Sequence, residues 1–162
     1  MPDIKKTTRV CFTGHRSIEP EKAIKIAEIL EESLRAIIRH GATHFYAGGA
    51  LGFDTIAALT VLRLTAEFPH IKLCLILPCK KQTKMWNESD KALYDGILAH
   101  ADSVQYVSET YTSHCMHDRN RLLVDSSDIC IAFCEHNGGG SAYTMAYAIK
   151  NDKGLLNIAD FI

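Results

Sequence analysis

Residues Thr43 to Asp54 read THFYAGGALGFD, and the fold follows from how this stretch is parsed. Thr43 to Ala47 is β-branched and aromatic, the composition of a strand. Gly48, Gly49 and Gly52 then crowd one short turn. From Phe53 to Glu67 apolar residues return at helical spacing, and Pro69 closes the run. A strand that passes through a glycine turn straight into a helix is half of a crossover unit, the connection that parallel strands require.

The same unit recurs on both sides. Arg9 to Thr13 (RVCFT) is a short β-rich run ending at Gly14, and a helix is predicted from Pro20 to about His40. There Ile24, Ala27, Leu30, Leu34, Ile37 and Ile38 recur at steps of three and four, with Pro20 in the first turn and Gly41 as the C-terminal stop. Ile71 to Leu77 (IKLCLIL) is nearly all apolar, a strand buried on both faces. Beyond Pro78 the pattern weakens. It predicts a helix over Met85 to Ala99, a strand over Ser103 to Val107 and a helix over Ser113 to Val124. Ile129 to Phe133 (ICIAF) is again a buried strand, followed by the loop Cys134 to Gly140, a helix from Ser141 to about Lys150 and an edge strand at Leu155 to Ile158. Strand and helix alternating throughout predict an α/β fold, doubly wound, with a mostly parallel sheet covered by helices on both faces. No linker or repeat divides residues 1 to 162, so one domain is expected.

Composition narrows the function classes. The chain has 162 residues, of which 47% are hydrophobic and 23% charged. A chain of this size buries roughly 70% of the surface its unfolded form exposes, so no metal or disulfide staple is needed. Eighteen Lys and Arg against nineteen Asp and Glu leave a formal charge of −1, which argues against a protein held to nucleic acid or acidic membrane by its overall charge. No apolar run approaches the roughly 20 residues of a membrane span. The polar, lysine-bearing start from Met1 to Thr8 reads as a short lead-in, not a signal segment. Six cysteines without CxxC spacing, most of them in apolar runs, read as reduced thiols in a cytoplasmic protein.

In open parallel sheets ligands bind beyond the C-terminal strand ends, where strand order reverses. The loops at those ends are Gly14-His15-Arg16-Ser17, Gly48 to Asp54, Pro78 to Gln82 and Glu135 to Ser141. Two are glycine-rich and lead into helices, which lets backbone N–H groups approach an anion at a helix N-terminus. Glycines there also serve simply to make tight turns. Neither turn is the GxGxxG dinucleotide fingerprint or the GxxxxGK[ST] phosphate loop.

Several segments together resemble a known family. They are Gly14-His15-Arg16, GGALGFDTIAA from Gly48 to Ala58, LILPC from Leu75 to Cys79, Arg119-Asn120-Arg121 with Val124 to Asp128, and GGSAYTMAYA from Gly139 to Ala148. In this order, over nearly the whole chain, they look like the YpsA-like branch of the SLOG superfamily, named for the Smf/DprA and LOG proteins. The resemblance implies a Rossmann-like domain that binds a nucleotide or nucleotide-derived ligand, commonly as a homodimer. Carried onto this chain, Gly48, Gly49 and Gly52 form the first ligand turn with Asp54 in the helix behind it. Asp54 has two readings: an acceptor for ribose hydroxyls, or a cap for its own helix. Gly138, Gly139, Gly140 and Ser141 form the second turn, with Thr144 offering a hydroxyl toward a phosphate. Thr13, Gly14, His15, Arg16 and Pro78 complete the rim. Arg119 and Arg121 suit an oxyanion, but they cannot share one helix face, so one is expected at the ligand and the other in a surface ion pair.

LOG-type phosphoribohydrolases resemble this chain but carry PGGxGTxxE, whose glutamate assists N-glycosidic cleavage. Gly138 to Lys150 contains no acid. That departure favours a ligand sensor over an enzyme, with Asp54 as the weak candidate for a replacement acid or base. No cofactor is required on this reading. His114 and His117 are spaced HxxH around Cys115, and Cys134 and His136 lie at a strand end, yet a helix offers such a pair only two ligands of the three or four that zinc needs; no metal site is expected. Lys80, Lys81 and Lys84 beside Trp86 offer the one surface suited to single-stranded nucleic acid, a partner the charge balance disfavours. The expected partner is a small nucleotide-like molecule, bound at a basic rim of His15, Arg16, Lys80, Lys81, Arg119 and Arg121.

Overall fold

A computed structural model describes residues 8–162; of the lead-in expected over Met1 to Thr8, residues 1 to 7 lie outside the described residues, and Thr8 instead begins the first strand. Six strands form one sheet: β1 (Thr8–Gly14), β2 (Ala42–Ala47), β3 (Lys72–Cys79), β4 (Ser103–Ser108), β5 (Ile129–Phe133) and β6 (Gly154–Asn157). Five helices connect them: α1 (Pro20–Arg39), α2 (Phe53–Leu64), α3 (Glu88–His100), α4 (Cys115–Asp125) and α5 (Gly140–Lys150), with a terminal 3-10 turn at Ile158–Phe161. The sheet order is β4-β3-β2-β1-β5-β6 and every neighbouring pair is parallel. This is the Rossmann-like arrangement, and strand order reverses between β1 and β5.

Each layer follows from side-chain pattern. On one face, α1, α2 and α3 cover Val10, Phe12, Phe45, Leu73, Leu75 and Leu77. On the other, Leu123 and Val124 of α4 and Ala148 of α5 cover Cys11, Ile76 and Cys130. The alternation of strand side chains between these two layers is the period-two geometry of a strand covered on both sides. In α1 the buried stripe is Ile26, Leu30, Leu34 and Ile38, spaced by four. Ile24, expected on that face, is exposed, because Ile26 continues the four-residue register and Ile24 falls outside it.

Local chemistry sets the element ends. The Asn87 side chain accepts from Asp90 N–H at 2.8 Å, so α3 starts at Glu88, after the start expected at Met85. Asn157 caps the terminal turn by accepting from Ala159 N–H, which ends β6 one residue short of Ile158. β3 runs on through Pro78 to Cys79, past the expected end at Leu77. Its pairing with β2 stops at Leu75, so no ladder partner on that side needs the N–H that proline lacks. All six cysteines are free thiols in the interior. No helix among the described residues is long and apolar enough to cross a membrane.

Candidate functional site

The chain reversal between β1 and β5 opens a cleft of about 250 Å³ at the C-terminal strand ends. β1 and the loop after it supply Thr13, Gly14, His15 and Arg16, α2 supplies Asp54, α4 supplies Arg119 and Asn120, and α5 supplies Gly140 and Ser141. Residues from widely separated segments therefore share one wall, at the place where open α/β sheets carry ligands.

The first glycine turn is fixed by close packing, not by slack. Gly52 has φ +80°, and a Cβ there would lie 2.4 Å from the carbonyl oxygens of both His15 and Arg16. Phe53 N–H donates to that same His15 carbonyl at 3.0 Å, while His15 N–H donates to Phe133 O at 3.2 Å. The Gly14-His15-Arg16 loop is thus bound by its backbone to the start of α2 and the end of β5.

Behind the turn lies a buried charge pair. Asp54 is 6% exposed and Arg119 4%. A Cβ on Gly48 would sit 2.6 Å from Nη1 of Arg119 and 3.0 Å from Oδ2 of Asp54. Only a glycine admits both groups. Nη1 of Arg119 donates to the Gly48 carbonyl and Nε to Oδ1 of Asn120. Oδ2 of Asp54 accepts from Ala50 N–H at 3.3 Å, and Oδ1 has no hydrogen-bond partner among the described residues. Burial outweighs mutual attraction at both ends. The Asp54 carboxyl is pushed up to about 6, opposed by the Arg119 charge, and the Arg119 guanidinium is held below its usual range. Asp54 thus combines a raised carboxyl pKa with an oxygen that no described residue engages, at the wall of the cleft. On the far side of Asp54, the space bounded by Gly49, Trp86 and Tyr94 measures about 10 Å³, room for at most one water.

The second turn delivers a helix N-terminus. Gly139 at φ +94° precedes α5, and no side chain caps the first turn. Unpaired N–H groups at a helix start favour an anion. Above this turn the His15 and His136 rings stack, with centroids 4.5 Å apart and planes 19° apart. Nε2 of His15 accepts from Glu135 N–H at 2.8 Å. Burial and the neighbouring His136 hold the His15 imidazole below its ordinary range.

Other expected site residues lie apart from the cleft wall. Thr144 is buried and donates its hydroxyl to Gly140 O at 2.8 Å, so that oxygen points into its own helix. Pro78 is buried within β3 and absent from the cleft lining. Gly49 packs against Leu77 and Gln82, and Gly138 is exposed on the loop. Arg121 points away from the cleft; the surface ion pair expected for one of the arginines is replaced by bonds from Nε and Nη2 to the Tyr143 hydroxyl, with the guanidinium also over the Tyr143 and Tyr147 rings. Lys80 pairs with Glu109 at 2.9 Å, and Trp86 packs edge-on against Tyr94. His114 bonds Asp118 while His117 meets Tyr143 edge-on, so the HxxH pair is split. Asn120 and Ala50 were not expected at the cleft, though both fall inside the quoted motifs.

Comparison with known proteins identifies the family and supports the fold. The family model described as YspA SLOG family matches residues 10–157. A UPF0398 protein of Bacillus pumilus is 32% identical over 151 residues, covering 88% of this chain and 81% of that protein. The SPbeta prophage-derived protein YoqJ of Bacillus subtilis is 29% identical over 138 residues, covering 78% of this chain and 79% of its own. Among solved structures, DNA processing protein A from Helicobacter pylori, described for its single-stranded DNA binding mode, superposes with a TM-score of 0.67 at 22% identity over 91% of this chain. DNA processing protein A from Streptococcus pneumoniae gives 0.67 at 17% identity over 94%. This chain spans 63% and 50% of those two proteins, so the likeness is one of fold. With the family model covering most of its length, the chain belongs to the YpsA branch of the SLOG superfamily.

Proposed function

We propose that this protein binds a nucleotide or an ADP-ribose-like derivative in the β1/β5 cleft and acts as a ligand sensor. The observation that carries the reading is the convergence on one cleft of an uncapped helix N-terminus, at Gly140 and Ser141, with the buried Asp54, whose Oδ1 has no hydrogen-bond partner among the described residues. A phosphate suits the first and a sugar hydroxyl the second. Arg16, exposed at the mouth of the cleft, adds a cation that binds oxyanions in a fork. A thermal-shift series with AMP, ADP-ribose and adenosine tests this. Stabilisation by the phosphorylated compounds and not by the nucleoside supports the reading, and no shift with any of them removes it.

One observation favours a second reading, nucleotide cleavage. An acid raised to about 6 in a cleft is suited to proton transfer near neutral pH. Steady release of free base from AMP, abolished by Asp54→Asn, would establish it. A single-stranded nucleic acid partner, by analogy with the DNA processing neighbour, would rely on Lys80 and Lys81. With Lys80 already paired to Glu109, salt-dependent strand binding lost on Lys80→Glu with Lys81→Glu is the result that would favour it.

A further inference from the structure

We infer that His15 positions the second glycine turn at the cleft as a proton-sensitive clasp, closed while the ring is neutral and released when it is protonated. This goes beyond ligand binding to its regulation, and it rests on the nucleotide reading only for its consequence at the cleft.

The geometry fixes which form of the ring is required. Nε2 of His15 accepts the Glu135 N–H at 2.8 Å, so the ring proton resides on Nδ1. Protonation puts a second N–H on Nε2, facing another donor, and the bond cannot persist. His136 is stacked at 4.5 Å and places its Nδ1 3.2 Å from Gly138 O, a contact in which that nitrogen donates. The stack also opposes a charge on the His15 ring.

The loop held by this bond has few other anchors. Cys134 is tied down by reciprocal bonds with Asn157 at 3.1 and 2.9 Å. From Glu135 to Gly139, the ties to other segments among the described residues are the His15 bond, the stack of the His136 ring on His15 and the ion pair of Glu135 with Lys22 on α1. Gly138 and Gly139 have nothing within 4 Å of an added Cβ, so no packing holds them. The helix that begins at Gly140 carries Gly140 and Ser141 into the cleft. Loss of the His15 bond therefore removes the one backbone tie of the segment that aims those two residues, leaving the Lys22 ion pair and the ring stack.

The surroundings set the direction of control. His15 faces His136 and the Glu135 carboxylate from the loop after β5, Lys22 from α1, and the edge of Phe133 at 5.6 Å. Arg16, Asp54 and Arg119 share its cleft. Glu135 favours the protonated ring, but Lys22 already engages that carboxylate; burial and His136 act the other way and keep the ring neutral at neutral pH. The clasp is thus closed near pH 7 and opens on acidification.

The test is a ¹⁵N NMR titration of the free protein from about pH 8 to about pH 5, following the His15 ring nitrogens and the Glu135 amide. The expected result is an Nδ1–H tautomer at high pH, one shared midpoint for ring and amide, and a higher midpoint in His136→Ala. His15→Asn, whose side-chain oxygen can accept but not titrate, should leave the Glu135 amide insensitive to pH in this window. An Nε2–H tautomer, or a Glu135 amide that stays still while His15 titrates, overturns the inference. The coupling to ligand is read with ADP-ribose, whose pyrophosphate does not titrate in this range. Affinity that falls with the His15 midpoint in wild type, and with a smaller pH dependence in His15→Asn, supports the coupling, because Asp54 is present in both. Affinity indifferent to that midpoint refutes the coupling. If ADP-ribose binds at no pH while ring and amide still move together, the nucleotide reading fails and the clasp stands.

Discussion

Asp54 and Arg119 approach the Cα of Gly48 from different elements, one from the first turn of α2 and the other from α4, both buried at the cleft and without a direct ion-pair contact. In sequence the arginine reads as a phosphate ligand. In the fold it donates to the Gly48 carbonyl and to Asn120, so it holds the first glycine turn in place and balances the Asp54 charge. Removing it leaves the Gly48 carbonyl without its donor and the Asp54 carboxyl without the charge that opposes its burial. Arg119→Met should cost about 2–3 kcal/mol of unfolding free energy at neutral pH, measured by urea denaturation. A loss below about 1 kcal/mol would show that these bonds do not hold the turn.

The titration of Asp54 makes its own prediction. Burial raises its carboxyl from 3.8 to about 6, so the folded chain holds this proton more tightly than the unfolded one. The stability it contributes is fully present below 3.8 and is lost as the pH rises through about 6. Asp54→Asn removes the step. Between pH 4 and 7 the wild type should lose roughly 2 kcal/mol relative to this variant. Stability curves that run parallel across that range would contradict it.

Glycines here separate into those the fold requires and those it does not. Gly52→Ala meets a positive φ and two carbonyl oxygens at 2.4 Å, and should destabilise by about 2 kcal/mol or more. Gly96 lies in the exposed middle of α3, with nothing within 4 Å of an added Cβ. Gly96→Ala should stabilise by about 0.5–1 kcal/mol through helix propensity alone. Thermal denaturation of the two variants reads both signs.

Arg16 separates binding from folding. It is exposed and lines the cleft, so Arg16→Ala should leave the melting temperature of the free protein unchanged within about a degree and weaken ADP-ribose by about tenfold or more. Equal affinity in the two proteins, measured by calorimetry, would place the phosphate elsewhere.

Much of the fold was legible because its signals are local. THFYAGGALGFD carries strand, turn and helix in sequence, and ICIAF and IKLCLIL have the unbroken apolar composition of strands covered on both faces. What is set by other segments was less visible. Ile24 belongs to the apolar repeat but not to the stripe that packs, and Pro78 continues β3 because β2 has already ended beside it. At the cleft, the glycine turns and Asp54 could be placed by their position after strands. The fates of the two arginines could not, since nothing near Arg119 in sequence reveals that Gly48 will lie under its guanidinium, or that Tyr143 will meet Arg121. The His15 clasp joins residues 120 positions apart, a contact no spacing rule reaches.

Backbone amide shifts mapped while ADP-ribose is added report directly on whether the β1/β5 cleft takes a nucleotide. Saturable shifts are expected at Gly14, Arg16, Gly140 and Ser141, with Lys80 and Arg121 unmoved. Saturable shifts confined to other surfaces, or none at all from a folded protein, would contradict it.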